Sequence, residues 1–409
     1  MRERKHTEYQ QIKDAKPNEL YIEENSLVKQ MEMRGTWFAL MIFASFILPI
    51  GILKGFFELI TGSWQQSAKT LIYNSVVSVG LMLASMISLF FPSVVRNITT
   101  RYYTFAAYTT DITQQFKKDR LRRFVIDRIW VPTKRGTIDT AIIQLKMNPT
   151  NQFTLQFCAN GYAYQEIEED LFLECATLQR NIVAFNYPGN TKHDNDYLSH
   201  SVIDLINAGI AEVYYLANTN RWTNENIASN LQLYGHSIGG AVALQVAVYF
   251  KEKYHIDIPV HVDRSFSSIS AILIERFNEM FYLPKWLGKI FAPLLLTAGG
   301  GWEFDSVAAC KKLNPKMIHY YNLGRHNETN RDADPVIPDS ATLATGLSNL
   351  SSSRIFKEIN VKHHAHLIFG NNRTNHNDHA ASKYELFDAS GKHVYLDIYR
   401  EQLNSHQPR

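Results

Sequence analysis

Leu231-Gln-Leu-Tyr-Gly-His-Ser-Ile-Gly-Gly-Ala241 decides how this chain is read. A short apolar segment runs into a turn holding Gly235, Gly239 and Gly240, and an uncharged apolar run continues from Ala241 to Phe250. The pattern predicts a strand, a sharp turn and a helix. Gly235-His236-Ser237-Ile238-Gly239 is a G-x-S-x-G pentapeptide in the setting that a nucleophile elbow needs. The turn is too sharp for side chains on both flanks, so Gly235 and Gly239 let strand and helix pass closely. Ser237 Oγ is expected to project above a sheet, with the Ile238 N–H facing the place where an oxyanion would form. A chance glycine-rich turn could share these five residues. The strand before them and the helix after them favour the elbow.

A serine hydroxyl is a poor nucleophile near neutral pH, so it needs a histidine base held in one tautomer by a carboxylate. In this setting the acid and then the histidine follow the serine in the chain. Asp334, in Asp334-Pro-Val-Ile-Pro338, follows a predicted strand at 316–322, and Pro335 and Pro338 stiffen its loop. Asp332 competes with it, as does Asp263 at the end of a predicted strand at 258–263. The preferred base is His376, in Asn375-His-Asn-Asp-His379, with His379 competing. His236 is expected to pack locally. His363, His364 and His366 crowd one short segment without a carboxylate or cysteine set, so no metal site is assigned. No cofactor is implied. The second oxyanion donor is expected in Asn160-Gly161-Tyr162, with the Tyr162 N–H partnering that of Ile238. A plain turn glycine is the bland alternative there.

The rest of the chain supplies the frame. Residues 123–131 and 137–145 read as a hairpin turning at Lys134-Arg135-Gly136. Strands are expected at 153–158, 181–187 and 230–234, and weakly at 365–369. Helices are expected at 165–179, 201–218, 340–350 and 393–403. Alternation of this kind implies an α/β fold with a mostly parallel sheet, right-handed crossovers and helices on both faces. Residues 269–313 depart from the alternation with apolar helical pieces and Gly299-Gly300-Gly301. They are read as an apolar cap, whose Phe281, Tyr282, Trp286, Phe291 and Leu294 to Leu296 would line an acyl pocket or else pack as core.

Upstream, residues 1–34 are polar, with both signs of charge and no apolar core of a signal peptide. Residues 35–53 and 70–95 carry no charge, and each is long enough to cross a hydrocarbon core, which needs about 20 helical residues. Lys29 and Arg34 precede the pair, and Arg96 and Arg101 follow it. The bias fits a transmembrane hairpin, 35–95, with the catalytic domain on the cytoplasmic face. A hairpin lying in the interface, or two buried core helices, would read similarly. Residues 96–121 form a connecting helix ending near a basic cluster, and 122–409 form the catalytic domain. A net charge of +3 without a basic stripe speaks against nucleic acid as a partner. Cys158, Cys175 and Cys310 show no metal-ligand spacing and suit a reducing compartment.

The order NGY, FNYPGN, GHSIGG, DRSFSS, DADPVIP, NHNDH resembles the α/β-hydrolase superfamily over about residues 122–405. Within it, the motifs resemble membrane-associated lipid hydrolases and, more closely, the lipase-like effectors of the SidB type from Legionella. The resemblance implies a serine hydrolase cleaving an acyl ester of a lipid through an acyl-enzyme on Ser237. A lipase, phospholipase or lysophospholipase would fit, and a secreted effector of this kind would act at host-cell membranes. A thioesterase or peptidase with the same triad, or an inactive membrane-anchored scaffold, is the alternative.

Overall fold

The computed structural model describes residues 11–12, 60, 68–69, 72, 123–159, 162–189, 202–281, 285–286, 288–289, 292, 303–323, 337–348, 357–363 and 386–387. Among the described residues, nine strands form one sheet: β1 (Phe124–Pro132), β2 (Thr137–Leu145), β3 (Phe153–Phe157), β4 (Asn181–Phe185), β5 (Leu231–His236), β6 (Val260–Asp263), β7 (Ile318–Leu323), β8 (Lys357–His363) and β9 (Leu386–Phe387). Their order across it is β1-β2-β4-β3-β5-β6-β7-β8-β9. From β4 to β8 every neighbouring pair is parallel, while β1–β2, β2–β4 and β8–β9 are antiparallel. The result is a mixed α/β fold.

The sequence explains the order of burial. β3 and β4 are buried at every position, which suits central strands covered on both faces. β1 exposes Asp127 and Arg128, and charge of this kind discourages further pairing at a sheet edge. Helices α2 (Val202–Thr219) and α4 (Ile238–Tyr254) cover one face, with the four-residue α3 (Ile227–Asn230) between them in the chain. Leu155, Phe157, Val183, Phe185, Leu233 and Val262 project into that layer. Burying each such side chain contributes about 1.5–3 kcal/mol. Helix α1 (Glu168–Leu178) covers the other face against Cys158, Ile182 and Ala184.

That second face changes character toward β5, β6 and β7, where strand alternation brings polar side chains inward. Gln156 donates to Glu174 at 2.6 Å, Gln232 to Thr154 at 2.8 Å and Tyr234 to Asp263 at 2.7 Å. His261 stacks on His319, with ring centroids 5.2 Å apart, and its Nδ1 lies 3.2 Å from the Tyr321 hydroxyl. This buried polar layer runs along β3, β5, β6 and β7 and reaches Asp263 at the C-terminal end of β6.

Several elements differ from the sequence reading. The last long strand is β8 at Lys357–His363, upstream of the weak strand expected at 365–369. Parallel pairing with β7 fixes it there, and Lys357, Glu358 and Lys362 break the hydrophobic pattern that would have marked it. The elbow helix α4 begins at Ile238 and runs to Tyr254, longer at both ends than its uncharged stretch. In the stretch read as a cap, helix α5 (Ile269–Phe281) forms as expected. Its end, however, belongs to the core: Phe304, Ala309, Cys310 and Leu313 are buried in the main cluster, the last three in or beside helix α6 (Ser306–Lys312). Trp286 is exposed, and the other proposed pocket aromatics are not among the described side chains. Helix α7 (Leu343–Ser348) is shorter than the stretch expected to be helical.

Ile12 is fully buried in the main core cluster. Its N–H donates to Asn224 Oδ1 at 2.9 Å, and the Asn224 N–H donates to Gln11 Oε1 at 3.4 Å. Part of the polar segment 1–34 is thus docked on the α/β body. Among the described residues no helix is long and apolar enough to cross a membrane. The uncharged runs 35–53 and 70–95 lie outside the described residues, apart from Ile72, as does the connecting helix of 96–121.

Candidate active site

β5 delivers the chain to Ser237, which sits at φ 55° and ψ −120° before α4 begins. Such a conformation is rare for a residue with a side chain and persists only where the surroundings hold it. The glycines make it possible. A Cβ on Gly235 would lie 2.2 Å from the Gly239 carbonyl oxygen, and one on Gly239 would lie 2.1 Å from that of Phe157. Strand and helix therefore cross at backbone contact, as the pentapeptide predicts.

The main chain of Ser237 is held on both sides. Its N–H donates to the Asp263 carbonyl at 2.9 Å. Its own carbonyl accepts from the Gly240 N–H at 3.0 Å and from Ser265 Oγ at 2.7 Å. Ile238 is the first residue of α4, where N–H groups have no intrahelical acceptor and the helix dipole favours negative charge.

Of the candidate acids, Asp263 is described. It ends β6 beside His236 on β5 and is fully buried. Arg264 grips it twice, Nε to Oδ1 at 2.9 Å and Nη2 to Oδ2 at 2.7 Å, and the Tyr234 hydroxyl donates to Oδ2 at 2.7 Å. Burial alone would raise the Asp263 carboxyl. The charges of Arg264 and His236, with the hydrogen bonds from Arg264 and Tyr234, outweigh that and hold it below the usual carboxylate range. Asp332, Asp334, His376 and His379 lie outside the described residues. β7, parallel to β6 and β5, ends at Leu323 on the sheet edge that carries Ser237.

Of the expected oxyanion loop, Asn160 and Gly161 lie outside the described residues. The Tyr162 N–H donates to the Ala159 carbonyl at 3.3 Å. A polar bracket behind the loop was not legible as such. Asp139 on β2 accepts from Arg128 Nε at 2.7 Å, the Tyr164 hydroxyl at 3.1 Å, Gln165 at 3.2 Å and Asn186 at 3.0 Å. Asn186 Oδ1 in turn accepts the Tyr164 N–H at 3.0 Å. The bracket ties the helical turn at Tyr164–Ile167, just after Tyr162, to the end of β4. Burial, then the charge of Asp139, push the Tyr164 hydroxyl up, so it remains a donor. The signal was present in FNYPGN, whose Asn186 belongs to the bracket, and in DRSFSS, whose Arg264 and Ser265 contact Asp263 and Ser237.

Solved hydrolases are similar to this chain at low identity. An alpha-beta hydrolase from Vibrio vulnificus is 17% identical with a TM-score of 0.42, over 56% of this chain and 74% of that one. The thermophilic carboxylesterase EstE1, cloned from a metagenomic library, is 13% identical with a TM-score of 0.34, over 56% and 76%. Carboxyl esterase 2 from the mycorrhizal fungus Tuber melanosporum is 10% identical with a TM-score of 0.34, over 53% and 70%. Comparison with curated proteins gives no match. The family model of the Chlamydia CHLPS protein (DUF818) matches residues 17–379, most of the chain, and the chain belongs to that family.

Proposed function

We propose that this protein is a serine hydrolase of the α/β-hydrolase type that cleaves acyl esters. The observation that carries the reading is Ser237 at positive φ between β5 and α4, with glycines at backbone contact on either side. Ser237 Oγ attacks the ester carbonyl while His376, or His379 in its place, takes the proton. The alcohol leaves with that proton, and water then releases the acid from Ser237. Asp334 orients the histidine, with Asp332 as its rival. Asp263 suits that role less well, because Arg264 and Tyr234 already occupy both of its oxygens. The Ile238 N–H holds the oxyanion together with the Tyr162 N–H, which must exchange the Ala159 carbonyl for substrate.

A lipid ester is the favoured substrate, and a membrane the favoured location for the domain. The support is the pair of uncharged runs at 35–53 and 70–95 and the lipase-like motif order. Fluorophosphonate labelling tests the core of the reading: wild type should label and Ser237→Ala should not. Equal labelling of both would remove Ser237 as nucleophile. A lipid, thioester and peptide ester panel then tests the substrate class, and turnover of thioester or peptide ester alone would overturn the lipid assignment.

A further inference from the structure

We infer that Ser265 is a positioning residue for Ser237, an inference that rests on the nucleophilic role proposed above. Ser265 Oγ donates to the Ser237 carbonyl at 2.7 Å, the usual length for a good O–H···O bond. The bond is buried, with Ser265 5% exposed and Ser237 7% exposed. It is one part of a clamp built by three consecutive residues. Asp263 takes the Ser237 N–H through its carbonyl at 2.9 Å, and Ser265 supplies a donor to the Ser237 carbonyl. Arg264 between them sits at φ 44°, its guanidinium on Asp263 and its N–H on the Tyr321 carbonyl at 2.9 Å.

The clamp is itself anchored. The Ser265 carbonyl accepts the Leu343 N–H at 3.0 Å. A Cβ on Gly240 would come 3.0 Å from the Ser265 Cβ, so Ser265 is seated against the first turn of α4. The residue it holds is the strained one. A backbone at φ 55° relaxes unless its neighbours fix both of its peptide groups, and relaxation would swing Ser237 Oγ away from its base and from the Ile238 N–H. Alanine at 265 would keep the packing and remove only the donor.

The matched control lies two residues on. Ser267 Oγ donates to a main-chain carbonyl, that of Ala341, at 3.0 Å, in the same segment and at similar burial, without touching the elbow. Ser265→Ala and Ser267→Ala in the full-length protein should lower the thermal midpoint to a similar degree. Ser265→Ala alone should slow fluorophosphonate labelling by about ten-fold or more and lower kcat on a short acyl ester, with KM unchanged. If Ser265→Ala does not fold, Ser265→Cys, which places a weak donor at the same position, enters the same comparison. Labelling by the 265 variant at the wild-type rate, or equal slowing in both variants, overturns the inference while leaving the enzyme reading intact. Failure of wild type to label overturns both.

Discussion

Gly239→Ala tests the link between the elbow's geometry and its chemistry. The added Cβ would lie 2.1 Å from the Phe157 carbonyl oxygen and 2.7 Å from that of Cys158. An ordinary contact there needs roughly 3.4 Å, so α4 and the end of β3 must separate by about 1 Å. Neither yields easily. β3 is paired on both sides, to β4 and β5, with Phe157 opposite Gly235. The start of α4 is fixed through Ser237 to Asp263 and Ser265. Overpacking of this kind costs about 1–3 kcal/mol, which for a domain this large lowers the thermal midpoint by several degrees. The larger effect falls on the site. Phe157 and Cys158 lead into the loop that holds Tyr162, so the methyl pushes apart the two proposed oxyanion donors. A displacement near 1 Å costs about 100-fold in rate. Time-resolved fluorophosphonate labelling of folded Gly239→Ala, checked by thermal melting, should show that loss. A variant that melts with wild type and labels at its rate would refute the argument that the elbow depends on this contact.

Other expectations reach beyond the elbow. Burial raises the Glu212 carboxyl from 4.5 to about 8, against the hydrogen bond from Thr140 Oγ1 at 2.6 Å and with help from the charge of Asp139. The native state therefore keeps a proton that the unfolded chain has lost, and stability falls by up to about 1.4 kcal/mol per pH unit between those values. Glu212→Gln should flatten that slope in urea melts across the window, and an unchanged slope would place the titration elsewhere. Ile12→Ala should destabilise the fold by about 2–5 kcal/mol in denaturant melts, and no change would mean the N-terminal segment is not docked in solution. Asp139→Ala, which strands Tyr164, Gln165 and Asn186 donors, should cost about 1–3 kcal/mol and slow labelling through the loop, and normal labelling would separate the bracket from the site.

The parts of the fold with strong local signals were legible in the sequence. Leu231–His236 and the helix after it announce themselves through apolar patterning and glycine spacing, and the hairpin of β1 and β2 through β-branched residues around Lys134-Arg135-Gly136. β8 was not, because Lys357-Glu-Ile-Asn-Val-Lys-His363 is carried by its pairing rather than by its hydrophobicity. Cys310 and Phe304 read as part of a cap because helix content alone does not say what a helix packs on. The motif order pointed to SidB-type lipases, whereas the match over 17–379 is to the Chlamydia CHLPS family. Short motifs are held in common by proteins that share a turn and an oxyanion loop, and they separate relatives poorly. Of the site, the elbow could be read because one turn imposes its residues. The clamp from Asp263 to Ser265 and the bracket around Asp139 depend on residues brought together across the sheet, and no spacing rule reports that.

Asp263, a rival to the preferred Asp334 in the sequence, is the candidate acid that lies among the described residues. Three aspartates follow Ser237 in positions open to a triad acid, and chain order alone does not rank Asp263 below Asp334. Its carboxylate and its carbonyl are already engaged. A triad acid works through one partner, the imidazole, and its replacement by asparagine leaves the fold intact while lowering kcat by about 10⁴-fold. Asp263 instead neutralises a guanidinium that is 2% exposed, and its main-chain carbonyl holds the Ser237 N–H. Asp263→Asn would remove the negative charge that faces the buried Arg264 guanidinium, and removing one partner of a buried pair costs about 3–5 kcal/mol. The pH dependence follows the same logic. The folded carboxyl is held below its unfolded value, so the pair's stabilisation is present above the unfolded value and is lost as pH falls through the folded one. The expected signature of Asp263→Asn is therefore a fall in the denaturant midpoint and a weaker acid limb of the stability profile. Asp334→Asn should leave both in place and abolish turnover. Should Asp263→Asn melt like wild type and lose activity by four orders of magnitude, the acid belongs on β6, and Arg264 and Tyr234 would then be the groups that tune it.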